Sequence, residues 1–170
     1  MTDREDEITR AYIEAELPAV EHFCRRHGLG WTCDLEHLRA ELTLRGPGAN
    51  EATLEEYLAM ADLTKYRAMP PWWRMVDPRT KKEIGPAGLP NPTRTAFPSS
   101  IFHGSGVLCA PWNRGAYKQM GGPHDNWGDA SAWEQVRGTT IALTLGEMVD
   151  RIYRETQESR GRLAPLPALT

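Results

Sequence analysis

The sequence predicts an α+β domain in which helices at the two ends of the chain flank an antiparallel sheet. Near both ends, apolar residues recur every three or four positions, the spacing of an amphipathic helix. Between them, apolar and polar residues alternate in runs joined by short turns, as in antiparallel strands. A chain of 170 residues suffices for one domain. We therefore expect a single domain, with a core over residues 6–157 and an irregular tail over 158–170.

The first helix is predicted over residues 5–27. Pro18 predicts a kink or a break within it, because proline cannot donate the helical hydrogen bond. Gly28 and Gly30 are expected to end the helix. The residues on its predicted apolar face are Ile8, Tyr12, Ala15, Ala19 and Phe23.

Strands are predicted over residues 34–45, 53–63 and 72–77, where the period changes to two. Pro70 and Pro71 precede the third of these and exclude a regular central strand there. A loop rich in proline, glycine and lysine is expected over 78–92. The first strand is expected to turn one face to the core through Leu38, Ala40, Leu42 and Leu44.

The last helix is predicted over residues 140–155. Thr144 and Glu147 have the spacing of a capping box, which marks a helix start. The residues of its apolar stripe are Leu145, Met148, Val149, Ile152 and Tyr153.

Cys109 is the candidate nucleophile. Gly104 and Gly106 allow a tight backbone turn before it, and Val107 and Leu108 form a short apolar piece that leads to the thiol. A thiol that follows such a turn, with polar groups close by, suits nucleophilic catalysis. The alternative is a buried and inert cysteine, since free cysteine is among the most buried residue types.

Composition narrows the classes of function. The formal net charge of −3 argues against a nucleic-acid-binding protein, which normally carries a basic face. No apolar run approaches the roughly 20 residues that cross a bilayer, and the charged N-terminus lacks the apolar segment of a signal peptide. Three cysteines without framework spacing favour a reducing compartment. We therefore expect a cytoplasmic protein with no nucleic-acid or membrane partner.

Two cysteines and two histidines near the end of the first helix could supply four zinc ligands. Cys24 and His27 end the predicted helix, whereas Cys33 and His37 begin a predicted strand. The spacing of the four residues matches no familiar zinc module. We therefore assign no metal and no cofactor, while zinc remains the open alternative for these residues: Cys24, His27, Cys33 and His37.

Several motifs occur in the order found in the ubiquitin-conjugating enzyme fold. Tyr66-x-x-x-Pro70-Pro71 is similar to that family's tyrosine-to-double-proline signature. His103, the glycines and Val107-Leu108-Cys109 are similar to the segment that leads to its catalytic cysteine. Trp127 or Trp133, followed by Thr144-Leu145 and a helix, is similar to its tryptophan and the helix after the active site. The resemblance covers residues 6–157 and extends to the divergent bacterial members of the family.

The resemblance implies an activity. Cys109 would accept the C-terminus of a ubiquitin-like protein from an activating enzyme as a thioester, and would pass it to a lysine of a target protein. The bacterial relatives are encoded beside ubiquitin-like proteins and activating enzymes, often in antiphage operons, so the resemblance also implies a defence role. The chain departs from the family in its shorter approach to the cysteine and in the longer insert over residues 111–133. We also expect it to lack the family's two C-terminal helices.

The family stabilises the oxyanion of aminolysis with an asparagine that is missing here. Asn113 is the nearest replacement by sequence, although asparagine often only shapes a turn, here the one after Pro111. His103, at the family's tripeptide, is expected to hold the loop through backbone hydrogen bonds rather than to act as a base.

His124 and Asp125 lie in the glycine-rich insert, which can fold back over Cys109. A histidine there could deprotonate the incoming lysine or the thiol, and Asp125 could orient either the histidine or the lysine. The alternative is a solvated loop. The tryptophans are expected to fill the core, with Trp112 nearest to the cysteine surface.

Two other functions remain open from the sequence. The first is a cysteine hydrolase that uses Cys109 with His103 or with His124 and Asp125, because a base and a thiol are the minimum for that chemistry. The second is a non-catalytic adaptor on the same fold, in which Cys109 is incidental.

Overall fold

The computed structural model describes residues 3–49, 53–93, 100–102, 104–137 and 141–168. Helix α1 spans Asp3–His27 and helix α2 spans Leu145–Gln157. Four strands lie between them: β1 Gly30–Asp34, β2 Arg39–Pro47, β3 Leu54–Asp62 and β4 Trp72–Val76. Short 3-10 turns lie at Pro86–Gly88, Arg114–Ala116, Lys118–Met120 and Ala130–Gln135. The predicted α+β class is confirmed.

The four strands form an antiparallel meander in the order β1-β2-β3-β4. Residues that face one another across β2, β3 and β4 are buried together, because side chains of one face repeat every second position. Helix α1 packs against α2 and β1, and α2 packs against β2. The residues of the buried sheet face are Ala40, Leu42, Leu44, Tyr57, Ala59, Ala61, Trp73 and Met75.

The first predicted strand, 34–45, first passes through a turn and becomes β2 only at Arg39, and the sequence did not predict β1. Strand β1 begins at Gly30, and a turn over residues 35–38 precedes β2. Asp34 shapes this turn, since its Oδ1 accepts hydrogen bonds from the backbone N–H groups of Glu36 and His37, each at 3.0 Å. Leu38 is buried as predicted, but it lies in the turn with a φ of 51°. The alternating pattern was correct only from position 39 onward.

The predicted apolar face of α1 is wrong by one position along the helix, although Phe23, one of its residues, does pack partly against the core. The buried residues are Thr9, Ile13, Val20 and Cys24, while Ile8 is 51% exposed and Tyr12 is 48% exposed. The helix also continues through Pro18, so no break occurs there. Pro18 is exposed, and this allows the helix to tolerate a proline on its solvent side.

Helix α2 begins as its sequence predicts, although a few residues further along. Thr144 is the N-cap, and its Oγ1 accepts from the backbone N–H of Glu147 at 3.3 Å. In return, Oε2 of Glu147 accepts from the backbone N–H of Thr144 at 3.1 Å. The capping box is therefore confirmed, and it satisfies donors that the first helical turn leaves free.

We expect Thr144→Ala to lower the free energy of unfolding by about 1 kcal/mol, because the N-cap hydroxyl is lost. Thr144→Ser keeps the hydroxyl and serves as the matched control. Urea denaturation followed by circular dichroism measures both variants. Equal losses in the serine and alanine variants would show that the methyl group, rather than the cap, is what matters.

The C-terminal tail forms no helix or strand between 158 and 168, as predicted, but it is firmly attached to the body of the protein. Arg162, a residue of the tail, has a fully buried side chain. Its guanidinium stacks over the ring of Tyr57 at 3.9 Å, donates to the Glu55 carboxylate at 2.8 Å and to the Glu56 carbonyl at 2.7 Å, and also donates to the carbonyl of Gly88. The tail is thus part of the folded domain.

Neither helix has both the length and the apolar character that crossing a membrane requires, within the described residues.

Candidate active site

Cys109 lies on the second arm of a small hairpin that helix α2 supports. Its backbone N–H donates to the carbonyl of Ile101 at 2.7 Å, and Phe102 and Leu108 form an antiparallel bridge. Ser100 Oγ donates to the buried carboxylate of Glu155 on α2, which also accepts from the backbone N–H of Ile101 at 3.3 Å. The position of the thiol is therefore fixed by the packing of α2.

Asn113 joins the cysteine segment to strand β4. Its Nδ2 donates to the carbonyl of Leu108 at 2.6 Å, and its Oδ1 accepts from the backbone N–H of Trp73 at 2.9 Å and of Gly115 at 3.3 Å. Asn113 is fully buried. Its side chain thus serves as the hydrogen-bond partner of backbone groups in both strand β4 and the cysteine segment.

Arg114 makes a second attachment of the insert. Its backbone N–H donates to the carbonyl of Pro71 at 2.9 Å, and its guanidinium donates to the carbonyl of Thr64 at 3.0 Å and lies 3.4 Å from a carboxylate oxygen of Asp62. The side chain is only 8% exposed. The beginning of the insert is therefore held on the sheet by an asparagine and an arginine that are adjacent in sequence.

The insert then folds back on itself. Gly122 permits the close approach, because a Cβ there would lie 2.3 Å from the carbonyl carbon of Ala116. Tyr117 and His124 form a parallel bridge, in which the backbone N–H of His124 donates to the Ala116 carbonyl at 3.0 Å and that of Lys118 donates to the His124 carbonyl at 2.9 Å. This bridge fixes the backbone of His124.

The structure places His124 against the thiol. Nε2 of His124 lies 2.5 Å from Sγ of Cys109, within hydrogen-bond distance. Cys109 is half-buried, and burial raises the pKa of its thiol to about 12. The predicted folding back of the insert over Cys109 is confirmed.

Two effects act in opposite directions on this thiol. Burial favours the neutral thiol, whereas an imidazolium at this distance favours the thiolate. Since burial raises the pKa of the thiol to about 12, the sulfur keeps its proton at neutral pH and points it toward Nε2. The imidazole can then accept the proton when sulfur attacks an electrophile, which is general-base activation of a nucleophile.

The other residues predicted for the site lie in different surroundings. Asp125 is exposed, and none of the hydrogen bonds and ion pairs found in the described ranges involves it. It stays a prediction as a group that meets the acceptor lysine. His103 lies outside the described residues. Trp112, expected at the cysteine surface, is instead 1% exposed and belongs to the core together with Trp73 and Trp133.

Sequence reasoning gave Trp127 no part in the site: it expected a core tryptophan, and the indole does pack partly against the core. The indole is half-exposed and its ring stacks on that of His124, with centroids 3.7 Å apart and an angle of 3° between the planes. Tyr117 meets Trp127 edge-on at 5.5 Å. The spacing of three residues between a histidine and a tryptophan within a glycine-rich turn was the available signal.

Three of the four residues that could have supplied zinc ligands make other contacts, and the fourth, Cys33, is a half-buried free thiol. Cys24 is buried in the core, His27 packs its ring between those of Phe23 and Tyr153, and His37 Nδ1 pairs with Asp34 at 2.7 Å. In the part of the chain that the structure describes, no group of three or more histidine, cysteine or acidic side chains is arranged to hold a metal ion.

No protein-family model matches the chain, and no curated protein matches it significantly.

Proposed function

We propose that this protein is a cysteine-dependent acyl transferase of the ubiquitin-conjugating type. Cys109 accepts the C-terminus of a ubiquitin-like protein from an activating enzyme and passes it to a lysine of a target protein. The observation that carries the proposal is the contact between Sγ of Cys109 and Nε2 of His124. The sequence motifs between Tyr66 and Leu145 and the order of helix, four-stranded meander, cysteine segment and helix support the conjugating type over other cysteine enzymes.

In the charging step, Sγ attacks the carbonyl carbon of the thioester that the activating enzyme carries. Nε2 of His124 takes the thiol proton as the new carbon–sulfur bond forms. The tetrahedral intermediate collapses with loss of the activating enzyme's sulfur, which receives the proton. One thioester is broken and one is made, so the step needs no further reactant.

In the transfer step, the lysine nitrogen attacks the carbonyl carbon of the Cys109 thioester. A neutral amine is required, and His124 is the described base nearest to the sulfur. It takes a proton from the nitrogen and returns it to the leaving sulfur of Cys109. An amide replaces the thioester, and the thiol and imidazole regain their initial state. Asp125, exposed beside His124, is suited to attract the positively charged lysine as it approaches.

Asn113 is better suited to positioning than to direct stabilisation of the oxyanion. Its side-chain oxygen accepts two backbone hydrogen bonds and its nitrogen donates to Leu108, and the residue is fully buried. Reaching a substrate carbonyl would require these bonds to break. We therefore assign Asn113 the role of fixing the segment that carries Cys109.

A cysteine hydrolase is the second candidate, and the same contact favours it. A thiol within hydrogen-bond distance of a histidine is the arrangement that activates the nucleophile of such enzymes. The two functions differ in the reactants that they require. A hydrolase cleaves its substrate with water and without ATP, whereas a conjugating enzyme is charged only by an activating enzyme.

We expect the wild-type protein to form a thioester at Cys109 when it is incubated with its activating enzyme, its ubiquitin-like protein and ATP. The product should run as a higher band on a non-reducing gel and should disappear with reductant, because thiols exchange with thioesters. Cys109→Ser should form an oxygen ester that survives reductant, and Cys109→Ala should form neither.

Cys33 offers the matched control, since it is also a half-buried free thiol. Cys33→Ser should be charged like the wild type. A band that persists in Cys109→Ala and is lost in Cys33→Ser or Cys24→Ala would overturn the assignment. Release of a fluorophore from the C-terminus of the ubiquitin-like protein without ATP, dependent on Cys109, would favour the hydrolase instead.

A further inference from the structure

A series of aromatic contacts links His124 back to the segment that carries Cys109. The imidazole lies flat on the indole of Trp127, with centroids 3.7 Å apart. Trp127 is met edge-on by Tyr117 at 5.5 Å, and the Tyr117 hydroxyl donates to the carbonyl of Pro111 at 2.8 Å. Pro111 lies two residues after Cys109, so these contacts and the Cys109–His124 contact form a closed circuit that includes the thiol.

The members of this circuit differ in how firmly they are held. Tyr117 is fully buried and its hydroxyl is bonded to a buried carbonyl, so it forms a fixed support. Trp127 is half-exposed and rests on that support. The backbone of His124 is held by the bridge to Tyr117, but the orientation of its ring depends on what lies against its face. In the described residues, Trp127 is the aromatic ring that stacks on it.

We infer that Trp127 is the positioning residue of the active site: its indole holds the imidazole of His124 in line with Cys109 and stabilises the imidazolium that forms when the thiol proton is transferred. This inference rests on the proposed role of the Cys109–His124 pair. It adds a residue that does not touch the substrate but determines how well the base works.

The physical basis is the charge distribution of the indole. The face of an aromatic ring is negative, and tryptophan attracts cations more strongly than tyrosine or phenylalanine. A neutral imidazole gains little from this, whereas an imidazolium is attracted to the ring face. The stack therefore favours the protonated state of His124, which accompanies the thiolate of Cys109.

Other ionisable groups lie on the segments packed around His124, and their charges act on the pH profile of alkylation at Cys109. A lysine and a tyrosine belong to the segment paired with it, and two aspartates belong to the insert, one of them directly following His124. These groups, with the thiol itself, are Cys109, Tyr117, Lys118, Asp125 and Asp129. Because all of them are unchanged in variants of Trp127, a comparison among such variants isolates the effect of the indole.

The test is the rate at which iodoacetamide alkylates Cys109 as a function of pH, followed by mass spectrometry of the peptide. This probe needs no partner protein. In the wild type, alkylation at pH 7 should be measurable because His124 accepts the proton. In His124→Ala the alkylation rate should rise only at strongly alkaline pH, because burial alone then sets the pKa of the thiol.

Trp127→Leu should lower the alkylation rate at pH 7 by about 2- to 30-fold, the equivalent of the attraction between a cation and the indole face. Its pH profile should move toward that of His124→Ala. Trp127→Phe keeps a flat ring and should recover part of the rate. Trp31→Leu, which removes a half-exposed indole on β1, should leave the profile unchanged.

Cys33 provides an internal control, because its alkylation in the same samples reports any general loosening of the fold. A wild-type profile at Cys109 in Trp127→Leu would overturn the inference, and so would an equal loss in the leucine and phenylalanine variants. If the Trp127 variants behave as expected while no thioester to a ubiquitin-like protein forms, the inference stands and only the conjugating function fails. If Cys109 is charged with a ubiquitin-like protein while Trp127→Leu keeps the wild-type pH profile, the conjugating function stands and the inference about Trp127 fails.

Discussion

Replacing His124 with alanine should slow the charging of Cys109 by about 100- to 10,000-fold at neutral pH, the usual contribution of a positioned general base. Nε2 lies 2.5 Å from Sγ, and burial raises the pKa of the thiol to about 12, so without the imidazole very little thiolate is available. Discharge of a preformed thioester onto free lysine should also slow, because the same base serves the amine. Quenched-flow assays of both steps measure the effect.

His37→Ala is the control for this variant. His37 has a 61% exposed side chain, pairs with Asp34 on the surface and lies on the turn between β1 and β2. It should charge and discharge at wild-type rates. Raising the pH should partly restore charging in His124→Ala, since hydroxide then removes the thiol proton. Unchanged rates in His124→Ala would mean that the histidine only fills space beside the thiol.

Arg162→Ala should lower the free energy of unfolding by about 2–4 kcal/mol, a larger loss than that of the helix cap in Thr144→Ala. The substitution leaves the carbonyls of Glu56 and Gly88 without their donor and removes the cation from the face of Tyr57. The partner carboxylate of Glu55 is 30% exposed, so water compensates part of the loss there. Thermal unfolding should show a midpoint lower by about 5–15 °C.

Arg160→Ala makes the same change of charge two residues earlier at an exposed position. It should leave the melting temperature within about 1–2 °C of the wild type, because surface substitutions usually cost less than about 0.5 kcal/mol. Arg162→Lys should recover only a small part of the stability, since one ammonium cannot donate in the fixed directions that a guanidinium serves. Equal stabilities for Arg162→Ala and Arg160→Ala would show that the buried guanidinium adds nothing to the stability of the fold.

The sequence predicted the elements of this fold better than their faces and boundaries. The period of α1 was correct, but Ile8 and Tyr12 were assigned to the core that Thr9 and Ile13 occupy. A helix of mixed composition presents two similar stripes, and only the tertiary packing decides which is buried. Strand β1 was missed because it is five residues long and alternates between exposed and half-buried positions, so it carries little apolar signal.

One contact of the candidate site was predicted in outline. That the insert brings His124 to Cys109 was expected from its glycines, which permit the chain to reverse. The surroundings were not predictable, because they depend on distant partners. Asn113 takes its role from the backbone of Trp73, 40 positions away. Trp127 looked like any other core tryptophan until the geometry showed its ring against an imidazole.

The attachment of the insert has a consequence for how the sheet meets other chains. Strand β4 is the last strand, and its outer edge would expose unpaired backbone groups, on which strands of other molecules can add. Asn113 and Arg114 occupy the beginning of that edge, and Ile84 donates to the carbonyl of Met75 near its end at 3.3 Å. Shortening the insert would thus remove His124 from Cys109 and uncover the beginning of that edge at once. We would then expect self-association through β4, so the segment that brings an imidazole to the thiol also covers part of a sheet edge.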